Sequence, residues 1–200
     1  MAKRIACVVE GHGDLEAVPI AVHRVAHHAA PELVVQVSAP LRTPKSRLVK
    51  PGELERAVEF AARRIDRKGA VLVVLDSDAD CPALVGPQLL ARASGAACGL
   101  PVAVVLAKRE FESWFVAAAE SLGGRVGLPG NLQAPADPEN ILGAKEWLTD
   151  RMEGTRSYSP TLDQPVLARV FDLDRALRTD SFAKFRREIA RLVNEAPDAW

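Results

Sequence analysis

The chain has no surplus of charge, no paired cysteines and no long apolar run, and each lack removes a class of protein. Acidic and basic residues number 26 each in 200 residues, so a protein that coats nucleic acid or anionic lipid through bulk charge is not expected. Any phosphate recognition has to be local. Cys7, Cys81 and Cys98 are odd in number and lack Cys-x-x-Cys spacing, which argues against a disulfide framework or a zinc ribbon. Cys7 is expected to be a reduced core residue. The apolar stretch after the basic start Met1-Ala2-Lys3-Arg4 is broken at Glu10, too early for a secretory core or a membrane span. A cytoplasmic chain with no membrane partner is expected. Tyrosine occurs once, at Tyr158, far along the chain from Glu10, so a covalent tyrosine mechanism is not expected.

What the sequence does have is acid at the ends of apolar runs. Ile5-Ala6-Cys7-Val8-Val9 stops at Glu10, and Val71-Leu72-Val73-Val74-Leu75 is followed by Asp76, Asp78 and Asp80. Such runs are the mark of buried parallel strands, whose carboxyl ends open onto one crevice. Crowded carboxylates there repel unless a cation lies between them, and a divalent metal is the natural occupant.

Strand and helix patterns alternate along the first 122 residues. Strands are predicted at 4–10, 33–38, 70–75 and 101–107, and helices at 15–29, 53–67, 84–95 and 110–122, with Asp14 as the N-cap of the first. This is an α/β chain with a mainly parallel sheet flanked by helices. Residues 123–137 are rich in Gly and Pro and predict a mobile surface loop. Residues 138–200 predict a helical C-terminal extension packed on the domain, with helices near 138–152, 163–178 and 181–195. Phe182, Phe185, Ile189 and Leu192 form its docking stripe.

Asp76-Ser77-Asp78-Ala79-Asp80 admits several readings. A helix-loop-helix calcium site fails, because Cys81 and Pro87 stand where Gly and Glu are required. The Asp-x-Asp of nucleotide-sugar transferases fits the strand-end context but leaves Glu10 unused, and would make the chain a metal-dependent transferase acting on a nucleotide-linked small molecule. An aspartyl-phosphate enzyme usually carries its acid pair after the first strand. Solvated acids that merely cap helices are the plain alternative, and four at two strand ends weigh against it.

Val8-Val9-Glu10-Gly11-His12-Gly13-Asp14 followed by Leu75-Asp76-Ser77-Asp78-Ala79-Asp80 resembles the Toprim domain of topoisomerases, bacterial primases and overcoming-lysogenization-defect nucleases. Lys108 through Trp114 and Tyr158 through Phe182 extend the likeness to an uncharacterised family of small prokaryotic Toprim-like proteins, some of whose relatives accompany ATPases in phage-defence loci. The resemblance implies a Toprim-like catalytic domain over residues 1–122. It further implies Mg2+, with Mn2+ as substitute, held by Glu10, Asp76 and Asp78. Asp80, Asp14 and Glu112 are then further metal or outer acids.

The implied activity is a metal-dependent phosphodiesterase or nuclease acting on DNA or RNA, with a defence or toxin role. The alternative is a non-enzymatic or partner-activated module that works with an ATPase. Lys108, past the strand ending at Ala107, is a candidate to stabilise the phosphorane. His12, beside Glu10, is a candidate base. Arg42, Lys45 and Arg47 are candidates to hold a nucleic-acid backbone, against the plain alternative of a solvated basic loop. Glu112 is better placed than Glu110 to face the site. His23, His27 and His28 are expected to be surface residues.

Overall fold

The computed structural model describes residues 2–198; Met1 of the expected first domain and Ala199 and Trp200 of the extension lie outside them. Five strands form one sheet: β1 (Ala2–Val9), β2 (Val34–Val37), β3 (Leu41–Arg42), β4 (Ala70–Asp76) and β5 (Val102–Ala107). The order is β2-β1-β4-β5, and β3 continues the β2 edge by pairing with the end of β1. Every pairing between these strands is parallel. Val8 lies opposite Val73 and Asp76 opposite Ala107, so the acids that end β1 and β4 emerge at the same end of the sheet.

Period-two alternation divides the core into two layers. Ile5, Cys7 and Val9 of β1, Leu72 and Val74 of β4 and Val105 of β5 face one cluster. Ala6, Val8, Val71, Val73, Leu75, Val104 and Leu106 face the other. The second layer is covered by α2 (Lys45–Leu48), α3 (Glu53–Arg64) and α4 (Pro82–Ala96). The first layer is covered by α1 (Asp14–Ala29) together with the chain beyond β5. Burial in that layer pushes the Cys7 thiol up to about 12, which keeps it an inert apolar filler.

The C-terminal third completes the first layer. α5 (Ser113–Ala117), α6 (Ala144–Thr149), α7 (Pro160–Val170), α8 (Leu173–Ala176) and α9 (Asp180–Glu195) all contribute to it. An aromatic chain joins them: the Trp114 ring lies 5.3 Å from Phe182 and 4.9 Å from Phe185, and Phe171 lies 5.4 Å from Phe115. The Trp114 indole N–H donates to Ser181 Oγ at 2.8 Å, which satisfies its one polar atom in the dry core. Phe182, Phe185, Ile189 and Leu192 are fully buried, as their helical spacing predicted.

Several local expectations need correction. The predicted helix 110–122 is short: α5 gives way to a 3-10 turn at Ala119–Ser121. The expected helix 138–152 is a 3-10 turn at Pro138–Asn140 followed by α6, and 163–178 divides into α7 and α8. The Gly/Pro-rich stretch is anchored, because Leu128 and Leu132 reach into the core. The basic loop around residue 45 is strand β3 and helix α2. No helix among the described residues is long and apolar enough to cross a membrane.

Candidate functional site

The strand-end carboxylates form two groups, and each group encloses a lysine. The first consists of Glu10, Asp78 and Asp80 around Lys45. Lys45 Nζ donates to the Ser77 carbonyl at 2.7 Å and to Asp78 Oδ2 at 2.9 Å, and it lies 3.0 Å from Asp80 Oδ2. Burial disfavours its charge, but the bonds to Asp78 and Asp80 outweigh that and hold its pKa above the usual lysine value. Lys45, expected on a nucleic-acid-binding rim, is instead turned inward, with its side chain 9% exposed. Glu10 accepts the Asp76 backbone N–H at 3.4 Å and is also bonded by that of Lys45. Desolvation, with the nearby Asp78 charge adding to it, lifts the Glu10 carboxyl above its ordinary range all the same.

Local backbone geometry presents Asp78. Its N–H donates to the Arg109 carbonyl at 3.0 Å, while the Arg109 N–H donates to Ser77 Oγ at 2.8 Å. Both Asp78 and Arg109 sit in the left-handed region, with φ of 52° and 64°. The loops leaving β4 and β5 are thereby tied together, and residues in such conformations persist only where their surroundings enforce them.

The second group is Asp76, Glu110 and Glu112 around Lys145, from α6. Lys145 Nζ lies 3.0 Å from Glu110 Oε1, 3.2 Å from Glu112 Oε2 and 3.7 Å from Asp76 Oδ2. Glu110 also accepts the Lys145 backbone N–H at 3.1 Å, so it both caps α6 and fixes the lysine. Asp76 Oδ1 accepts the Phe111 N–H at 2.8 Å. Glu112 is only 1% exposed; Oε1 accepts the Tyr158 hydroxyl at 3.1 Å, but Oε2 accepts no hydrogen bond. Burial raises the pKa of Asp76 well above the carboxylate range, with the Glu112 charge adding to it, and burial raises Glu112 as well. Desolvation and the adjacent Glu112 push Tyr158 upward, so it stays a protonated donor.

Asp14 stands near the second group without sharing its lysine. It is the first residue of α1 rather than its N-cap; Oδ2 accepts the Gly11 N–H at 2.8 Å and Oδ1 accepts Gln164 Nε2 at 2.7 Å. Both oxygens are therefore engaged, one with the loop before α1 and one with α7, and its charge adds to the field on Asp76 and Glu112. Gly13 makes this contact possible, because a Cβ there would come within 2.4 Å of the Pro160 carbonyl.

Among the remaining candidates, His12 is exposed at the turn and Lys108 stands at the end of β5. Arg42 is exposed, with Nη1 3.5 Å from the Glu10 carbonyl, and Arg47 pairs with Glu53. The three basic residues thus do not form one free rim. Sequence reasoning missed Lys145, Glu110 and the place of Tyr158. Only the rarity of tyrosine offered a signal, and it pointed away from the site.

Among the described residues no three Asp, Glu, His or Cys side chains stand together as a ready ligand set. A lysine occupies the centre of each carboxylate group. The donors nonetheless match a hard divalent cation: all are oxygens, three are raised in pKa by their surroundings, and one, Glu112 Oε2, is buried with no partner but the Lys145 ion pair.

A family model described as a domain of unknown function (DUF4276) matches residues 9–190. No curated protein and no solved structure matches the chain.

Proposed function

We propose that this chain, which belongs to the DUF4276 family, is a Toprim-like, metal-dependent phosphodiesterase that cuts DNA or RNA. One observation carries the reading. Carboxylates from the ends of β1 and β4 and from the turn after β5 converge at one end of a parallel sheet, with more negative charge than their two lysines and main-chain donors neutralise. Burial raises the pKa values of Glu10, Asp76 and Glu112, and neighbouring carboxylate charge adds to the rise; such perturbed groups cluster where chemistry is done.

Mg2+ or Mn2+ would be held by Glu10 and Asp78 of the first group together with Asp76 of the second, with Asp80 and Glu112 as further oxygens. Bound there, the ion neutralises phosphoryl oxygens and activates water. The chain's own groups do the rest. Lys45 and Lys145 orient the carboxylates, Tyr158 fixes the Glu112 rotamer, and Lys108 offers a cation to the phosphoryl group. Exposed His12, two residues after Glu10, is assigned the proton of an attacking water.

Calorimetry with Mn2+, followed by cleavage assays on plasmid, single-stranded DNA and transfer RNA, tests the proposal. The wild type should bind the ion and cut at least one polymer, and Glu10→Gln and Asp78→Asn should each lower cleavage by at least about a hundredfold. Absence of binding, or cleavage that survives both substitutions, removes it. A second reading is favoured by the same two lysines, which leave the resting chain partly charge-compensated: a partner such as an ATPase frees the acids. Cleavage that appears only with that partner selects it.

A further inference from the structure

Beside the acid groups, a groove of about 650 Å³ opens between α4 and α9. Its walls are apolar, built by Pro82, Pro87 and Leu90 of α4 and by Leu106 of β5. Its rim carries Lys108, Lys184 and Arg187. Lys184 lies 3.4 Å from Glu188, whereas the side chains of Lys108 and Arg187 make no hydrogen bond or ion pair among the described residues. Of the two acids lining the groove, Glu139 is consumed in capping α9, accepting the N–H groups of Asp180 and Ser181 at 3.1 and 2.9 Å.

Position ties this groove to the acids. Cys81, which lines it, directly follows Asp80, and Lys108 follows Ala107, which lies opposite Asp76 in the sheet. The groove is therefore lined by residues that adjoin the acid-bearing strand ends in sequence, beside β5, the outer strand of the sheet.

We propose that this groove binds an unpaired stretch of nucleic acid, with phosphates on Lys108 and Arg187 and bases against Pro82, Pro87, Leu90 and Leu106. Free cations beside apolar walls match a polymer that alternates phosphate with flat apolar faces. A duplex keeps those faces stacked, so it gains nothing from the walls. The lining contains no aromatic ring and only one neutral hydrogen-bonding side chain, Ser181, so recognition is tolerant of base sequence. An acidic peptide would satisfy the cations, but continuity with the carboxylate groups favours the polymer that those groups are proposed to cut. The inference rests on the proposed function for that choice only.

Binding is measured in EDTA, so that it does not depend on cleavage, with a labelled oligothymidylate of about a dozen nucleotides. A Cys98→Ser chain leaves exposed Cys81 as the reporter, since Cys7 is buried. The oligonucleotide should slow maleimide labelling of Cys81 several-fold, and a duplex of equal length should not. Arg187→Glu, which reverses a rim charge, and Ala183→Trp, which fills the groove, should each weaken binding roughly tenfold. Unchanged affinity in both variants, unprotected Cys81, equal protection by duplex, or stronger protection by polyglutamate overturns the proposal. Protection without any metal-dependent cleavage leaves the groove standing and removes the nuclease. Cleavage without protection does the reverse.

Discussion

Replacing Lys145 with Met removes the ammonium that three carboxylates share. At the observed 3.2 Å to Glu112, one such pair attracts by about 5 kcal/mol at an effective dielectric constant of about 20. Desolvation of the lysine offsets part of this. Its side chain is also 32% exposed, and solvent screens the remainder. A net loss of about 2–3 kcal/mol is expected for the chain in EDTA near pH 8. For a protein of this size that corresponds to a melting temperature lower by roughly 5–10 °C.

The loss depends on pH in a direction that can be worked out. Burial already raises Asp76 and Glu112, and without Lys145 both rise further. A carboxyl whose folded pKa exceeds its unfolded value contributes stability when protonated, below the unfolded pKa, and that contribution is lost as pH rises through the folded value. The deficit of Lys145→Met should therefore be small at about pH 4, near the unfolded carboxylate values, and grow toward about pH 8. Mn2+ should reverse it, because a divalent ion replaces the missing charge, and at a hundredfold excess over Kd binding adds about 2.7 kcal/mol. Thermal melts of both proteins at the two pH values, with EDTA or Mn2+, decide the matter. A variant that melts with the wild type at pH 8, or whose deficit is pH-independent and untouched by Mn2+, refutes the reasoning.

Tyr158→Phe deletes the hydroxyl that donates to Glu112. The fold should lose about 1–3 kcal/mol in urea unfolding, since a buried acceptor is left unpaired; a variant as stable as the wild type would show that the bond contributes nothing. Gly13→Ala should cost at least about 2 kcal/mol, because its Cβ meets the fixed Pro160 carbonyl and α7 has to shift off α1. An unchanged denaturation midpoint would mean that this junction yields freely.

The strand-end acids were legible in the sequence for a simple reason. A strand buried on both faces needs an unbroken apolar run, so Glu10 and Asp76 announce both the end of the run and the end of the sheet where they emerge. The docking stripe of α9 was legible by the same logic at helical spacing. Lys45 was misjudged because composition reports a basic segment but not which way its side chains point, and α2 turns Lys45 toward Asp78 and Asp80. Lys145 carried no signal at all. A lysine on a short helix reads the same whether solvent or carboxylates surround it, and the 35 residues separating it from Glu110 are bridged only when α6 docks.

The sequence alone determined the α/β class, the parallel sheet and the gathering of acid at one end of it, because hydrophobic periodicity acts locally and is written residue by residue. Tertiary structure decided what balances that acid. It placed one lysine in each carboxylate group, brought Tyr158 to Glu112 and engaged Asp14 with α7. Each of these contacts joins parts of the chain far apart in sequence, and electrostatic compensation depends on distance in space, which no local pattern encodes.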